Sequence, residues 1–201
     1  MTMLLPYSEA APLIKEGDVL LFRGKGIVSW LIKRYGSGTH SHAGMAHWDG
    51  PHLQCVEFRE FKGGRSVSLK SQVDSHPDTI DVFRPLDSLS FSSRGTDVVT
   101  KSFNSQVAVA TTSTMIDLTG LPYGWKNFWK LLKHYIPFVR LAKQNMKDKD
   151  PMNVFVCSTA VAFAFRKNYV DPVPYLADSS VMPADLARSA LFSYQFTLQK
   201  D

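Results

Sequence analysis

Ser41-His42-Ala43-Gly44-Met45-Ala46-His47-Trp48-Asp49-Gly50-Pro51-His52-Leu53-Gln54-Cys55-Val56-Glu57-Phe58-Arg59 reads as two short strands folded back on each other. Asp49-Gly50 is a favoured dipeptide of the two-residue type I′ turn, and Ser41 to Trp48 and Leu53 to Arg59 have the length of antiparallel partners. With Asp49-Gly50 as the loop, Trp48 faces Pro51 and His42 faces Glu57. Opposed residues of such a pair have Cβ atoms roughly 4.5–5.5 Å apart and point to one face. A carboxylate so placed would hold an imidazole in one tautomer and stabilise its protonated form. The spacing fits an ordinary surface His–Glu pair equally well, and a one-residue slip would turn Glu57 to the opposite face.

Working outward, Glu16-Gly17-Asp18 is a turn signal before the apolar run Val19-Leu20-Leu21-Phe22, which reads as a buried strand. After Arg23-Gly24-Lys25-Gly26, apolar residues recur at helical spacing through Ile27, Trp30 and Leu31. The glycine pair is weak as a phosphate loop, because it completes neither the dinucleotide nor the Walker pattern. Downstream, Gly63-Gly64 marks a turn, and Val67 to Leu69 and Ile80 to Phe83 read as strands, the latter stopped by Pro85. Strands clustered in this way argue for an antiparallel sheet rather than βαβ alternation. From about Ser102 the pattern becomes helical up to Leu118, with Gly120 and Pro122 ending the run. Met146 to Pro151 is a polar linker, Cys157 to about Asn168 a helix, Pro183 to Leu191 a short helix, and Tyr194 to Leu198 a last strand. The expected fold is therefore α+β, with an antiparallel sheet packed against helices. At 201 residues and 44% hydrophobic content, without internal repeat or domain-splitting linker, residues 1–201 are expected to form a single domain.

Cys157 follows the apolar lead-in Val154-Phe155-Val156 and precedes the small residues Ser158, Thr159, Ala160, Val161 and Ala162. A thiol in a first helical turn meets unpaired backbone N–H groups and the positive end of the helix dipole, both of which favour thiolate. An inert buried cysteine suits the same pattern. A thiol nucleophile requires a base, and the base a group that orients it. His42, flanked by small residues and facing Glu57, is the candidate base. Cys55 shares the strand parity of Glu57 but has no helix start beside it, so it ranks behind Cys157. His47 has the opposite parity, and His40, His52, His76 and His134 have loop-like or exposed contexts.

Taken in order, Gly17-Asp18-Val19-Leu20-Leu21-Phe22, Ser41-His42-Ala43-Gly44, Glu57 and Phe155-Val156-Cys157-Ser158 resemble the circularly permuted papain-like proteins. That group includes the YiiX/YebB-like hydrolases and is related to the lecithin retinol acyltransferase family, within the broad NlpC-type superfamily. Leu121-Pro122-Tyr123-Gly124-Trp125 and Met182 to Ser189 extend the likeness. The resemblance implies a papain-like fold with Cys157 as nucleophile at a helix N-terminus, His42 as base and Glu57 as orienting residue. Thr159 stands where members of the group often carry an acidic residue. The implied activity is hydrolysis of an amide or peptide-like bond through an acyl-enzyme, with cell-wall peptides as one substrate class. A lipid acyl hydrolase or acyltransferase would use the same three residues, and a non-catalytic binding module is a further alternative. No metal or organic cofactor is implied.

The net charge of +5 suits anionic partners, but no nucleic-acid signature accompanies it, and nucleic acid is not an expected partner. Trp125 to Lys143 is aromatic and basic, which fits a core helix, a lid over the site, or peripheral contact with a membrane. With two cysteines, no secretory signal pattern and no run of roughly 18–20 apolar residues, a cytoplasmic location is expected.

Overall fold

The computed structural model describes residues 3–77, 79–87, 89–92, 98–101, 103–125, 155–174 and 176–201. Nine strands occur in them: β1 (Leu4–Pro6), β2 (Val19–Phe22), β3 (His42–Asp49), β4 (His52–Arg59), β5 (Gly63–Ser68), β6 (Ile80–Pro85), β7 (Leu89–Ser92), β8 (Val98–Lys101) and β9 (Phe192–Gln199). The α-helices are α1 (Tyr7–Ala10), α2 (Ile27–Gly36), α3 (Leu69–Ser75), α4 (Ser105–Asp117), α5 (Cys157–Lys167) and α6 (Pro183–Arg188). Seven strands form one sheet in the order β1-β9-β6-β2-β3-β4-β5, and β7 and β8 form a separate ribbon. The architecture is thus α+β with a mostly antiparallel sheet. The expected antiparallel sheet is corrected at one edge, where β1 runs parallel to β9.

All four residues of β2 are buried because the strand lies between β3 and β6 and is covered on both faces. Val19 and Leu21 join a core with Met45, Val56, Val161 and Phe165, whereas Leu20 and Phe22 join one with Ala46, Cys55, Leu69 and Val73. A continuous apolar run, rather than an alternating one, is what a doubly covered strand requires. Ala160, Ala162 and Ala164 have no exposed surface, so α5 lies deep in the first core. Ser158 ties its first turn to the chain before α6 by donating to the Val181 carbonyl at 2.7 Å.

Two expectations fail locally. Pro85 does not end β6 at Phe83; it pairs with Phe192 of β9, beyond the first residue of β2, where no neighbour needs its missing N–H. Gly63-Gly64 is the start of β5 rather than a turn, and Leu69 opens α3, capped by the Ser68 hydroxyl. The glycines are explained by close approach. A Cβ on Gly63 would lie 2.2 Å from the Leu121 carbonyl oxygen, and one on Gly64 2.5 Å from that of Leu118. Hydrogen bonds from Gly64 N–H to Leu121 and from Gly120 N–H to Gly64 dock the 118–121 connection there.

Gly63 also has a φ of 68°, so Gly63→Ala combines backbone strain with a clash against rigid backbone. We expect it to lower unfolding stability by about 3 kcal/mol in urea titration. Gly50→Ala, whose Cβ would meet nothing within 4 Å, should cost only about 1 kcal/mol from its φ of 57°.

Candidate active site

The hairpin delivers His42 and Glu57 to one face, though not in the expected register. Gly44 pairs with Glu57, and Asp49 with His52, so Gly50 and Pro51 form the loop. Pro51 is the physical reason. A type I′ turn on Asp49-Gly50 would hand the strand a proline as its first paired residue, whereas Gly50 at φ 57° followed by proline suits a type II′ loop. The slip is two residues, an even number, so parity survives and Glu57 reaches His42 diagonally instead of directly.

Nε2 of His42 lies 2.5 Å from Oε2 of Glu57. Glu57 has no exposed surface, and its other oxygen accepts from Arg65 Nε at 2.9 Å and Nη2 at 2.5 Å. Arg59 stands 3.8 Å away. Burial alone would raise the Glu57 pKa, but His42 and then the two arginines outweigh it and hold the carboxyl at about 2. For His42, burial favours the neutral ring, but the Glu57 charge and contact with Cys157 overcome it and raise the pKa to about 10. Nε2 being taken by Glu57, Nδ1 is the ring nitrogen left for the sulfur.

Cys157, the first residue of α5, is 4% exposed and acts on this ring closely enough to raise its pKa. Thr159 shapes the helix start: its hydroxyl accepts from the Val156 N–H at 2.9 Å and donates back to the Val156 carbonyl at 3.1 Å. It satisfies an end group that an acidic side chain would otherwise serve, without placing a negative charge beside the sulfur. Tyr123 is a buried neighbour of Cys157, and burial, reinforced by the charge of the cysteine, pushes its phenol above the ordinary range. Its segment is fixed by a hydrogen bond from Gly124 N–H to the Phe155 carbonyl.

Cys55 is fully buried in the core on the other face from Cys157, where desolvation and Glu57 push its thiol well above the usual value. Its sulfur would be 2.7 Å from a Cβ on Gly44, which accounts for glycine there. His47 faces away and binds Glu16, as its parity predicts. His40 is a correction: it is buried and bonded to Asp81 at 2.8 Å, far from an exposed loop context. Sequence reasoning missed Arg59 and Arg65. Arg65 pairs directly with Glu57 across β4 and β5, a register that a turn at Gly63-Gly64 would hide. Of the Trp125 to Lys143 stretch only Trp125 is among the described residues; it packs on Tyr123 and Phe61.

The His42–Glu57 pair has a defined pH signature. The raised pKa of His42 contributes stability that is complete below about pH 6.5 and is lost as pH rises through about 10; the depressed pKa of Glu57 contributes stability that is complete above about 4.5 and is lost as pH falls through about 2. Glu57→Gln should therefore drop the His42 pKa to its ordinary value or below, since burial then acts without the carboxylate. NMR titration of the ring checks this. The variant should lose about 3 kcal/mol of stability near pH 5–6, with a smaller loss above pH 10. An unchanged His42 titration would refute the pairing.

No protein-family model matches the sequence, and no curated protein matches it. Among solved structures the fold is similar to the crystal structure described as metalloprotein yiiX from Escherichia coli O157:H7, with a TM-score of 0.52. The alignment covers 91% of this chain and 97% of that one at 16% identity, a likeness of fold.

Proposed function

We propose that the chain is a cysteine hydrolase of the circularly permuted papain-like kind, acting on an amide or peptide-like bond. The observation that carries this reading is the buried chain of contacts Arg65–Glu57–His42–Cys157. A helix presenting a thiol to a histidine on an antiparallel sheet, in the order histidine, carboxylate, cysteine along the sequence, supports the permuted papain-like assignment.

The chemistry follows from the protonation of His42. The ring holds a proton up to about pH 10 and enters the first step as the acid. The Cys157 sulfur, as thiolate, attacks the carbonyl carbon; the C–S bond forms, the C–N bond breaks, and the leaving amine takes the proton from His42. Water then attacks the thioester carbonyl and gives a proton to His42. The acid departs and the sulfur is restored as thiolate beside the protonated ring. Glu57 keeps the ring oriented throughout, and the Cys157 backbone N–H at the helix start can donate to the oxyanion.

The structural neighbour is described as a metalloprotein. In this chain the described residues contain no group of three or more His, Cys, Asp or Glu side chains placed to hold a metal ion. Glu57 already faces two arginines and His42, cations that would compete with a metal. The donor set does not fit one, and no step above uses it.

A second reading, a lipid acyl hydrolase or acyltransferase using the same three residues, has one observation in its favour. Phe61 is 90% exposed and packs on Trp125, leaving an aromatic edge available to an acyl chain or a membrane surface. Among the described residues no helix is long and apolar enough to cross a membrane.

Peptide, cell-wall and phospholipid substrates assayed with wild type, Cys157→Ala, His42→Ala and Cys55→Ala separate these readings. Cys157→Ala and His42→Ala should each lose about 10³-fold or more on the one substrate class turned over, with Cys55→Ala close to wild type. Activity that survives Cys157→Ala would end the proposal. Turnover of phospholipid alone would favour the second reading.

A further inference from the structure

We propose that the cavity beside His42 is a subsite for a single carboxylate carried by the substrate close to its scissile carbonyl. This rests on the reading of Cys157 as nucleophile. The cavity encloses about 360 Å³, and its walls include Phe22, Lys25, Ser41, His42, Arg59 and His76. His42 both borders this space and contacts Cys157, so a group seated here lies one side chain away from the reacting sulfur.

The charges on the walls favour an anion. Lys25 is exposed at the rim and makes no ion pair among the described residues. The guanidinium of Arg59 is held in place without being used up. Its contacts to Glu57 and Glu60 are both 3.8 Å, too long for hydrogen bonds. The His76 ring is 3.3 Å from Arg59 and 3.2 Å from the Gln72 carbonyl. His76 Nδ1–H donating to Gln72 leaves Nε2 to accept from Arg59, which fixes the arginine and leaves further N–H donors for a ligand. Glu60 is the one carboxylate on the walls. Lys25 and Arg59 against Glu60 leave one positive charge, with His42 already balanced by Glu57. A guanidinium with an ammonium opposite matches one carboxylate group.

The backbone around Lys25 is fixed. A Cβ on Gly24 would come within 2.6 Å of the Ser29 hydroxyl and 2.8 Å of the Ser41 hydroxyl, and Gly24 N–H donates to Ser41 at 3.0 Å. Gly26 has a φ of 114°, which turns the chain into α2 at this wall. The first turn of that helix has neither a side-chain cap nor an acidic residue, so its positive end adds to the same field.

Iodoacetate and iodoacetamide test the subsite, because they are nearly equal in size, alkylate sulfur at the same carbon and differ in charge. Rates at Cys157 are read by mass spectrometry in wild type, Lys25→Gln and Arg59→Gln. The protonated His42 itself favours iodoacetate, so the quantity that matters is the change in the ratio of the two rates. Each substitution should lower the iodoacetate-to-iodoacetamide ratio by about threefold to tenfold at low salt. Lys25→Gln should leave the iodoacetamide rate unchanged. Ratios equal to wild type in both variants would overturn the subsite and leave the nucleophile standing. A wild-type Cys157 that reacts with neither reagent faster than in the unfolded chain at the same pH would instead overturn the nucleophile reading.

Discussion

A carboxylate with no exposed surface stays ionised only if cations are brought to it, and Glu57 draws them from both neighbouring strands. From β3 comes His42 and from β5 Arg65, with Arg59 two residues along β4 itself. The pairing order β3-β4-β5 is the one that supplies a cation from each side. A buried charge set of this kind is weak as a source of net stability, because desolvation cancels much of the attraction. Its consequence is positional. Arg65 occupies one carboxylate oxygen and His42 meets the other, so the imidazole is held in one orientation.

The sulfur arrives by a separate route. Ala160, Ala162 and Ala164 let α5 settle in the core, and Ser158 and Thr159 secure its first turn without introducing charge. The two cysteines show how much this setting decides. Cys55 lies two residues from Glu57 on β4 and on the same face, yet its environment is a carboxylate and apolar side chains, which suppress ionisation. Cys157 meets a protonated ring at a helix N-terminus. Proximity to the carboxylate is thus unfavourable for the Cys55 thiol, whereas at the other cysteine a histidine stands between the carboxylate and the sulfur.

Most of the sheet was legible because the apolar runs of β2, β3, β4 and β6 are long enough to show their burial. The His42–Glu57 partnership was legible through parity, which a two-residue error in register leaves intact. The turn itself was misread because Asp49-Gly50 is a strong local signal, and Pro51 overrides it through its missing N–H and fixed φ. Gly63-Gly64 misled for a different reason: the glycines answer to the distant carbonyls of Leu121 and Leu118, and no local pattern records a contact across more than fifty residues. The same applies to Arg65, whose role follows from that register, and to the parallel β1–β9 edge, which joins opposite ends of the chain.

The proposed site needs more than a histidine bound to a buried carboxylate, because this chain holds a second pair of that kind. His40, two residues before His42, is equally buried and bonds to Asp81 at 2.8 Å, with Arg23 and Thr197 completing the carboxylate's contacts much as the arginines complete those of Glu57. Asp81 is likewise held below its ordinary pKa against the cost of burial. The His40 ring, however, packs against the edge or face of Phe83 and joins the 37–41 connection to β6 and β9. What separates the two pairs is the group beyond the imidazole: an aromatic ring in one case, a thiol at the start of an eleven-residue helix in the other. The chemistry of the site therefore originates in where α5 begins, and the buried charges of the sheet determine which histidine it meets.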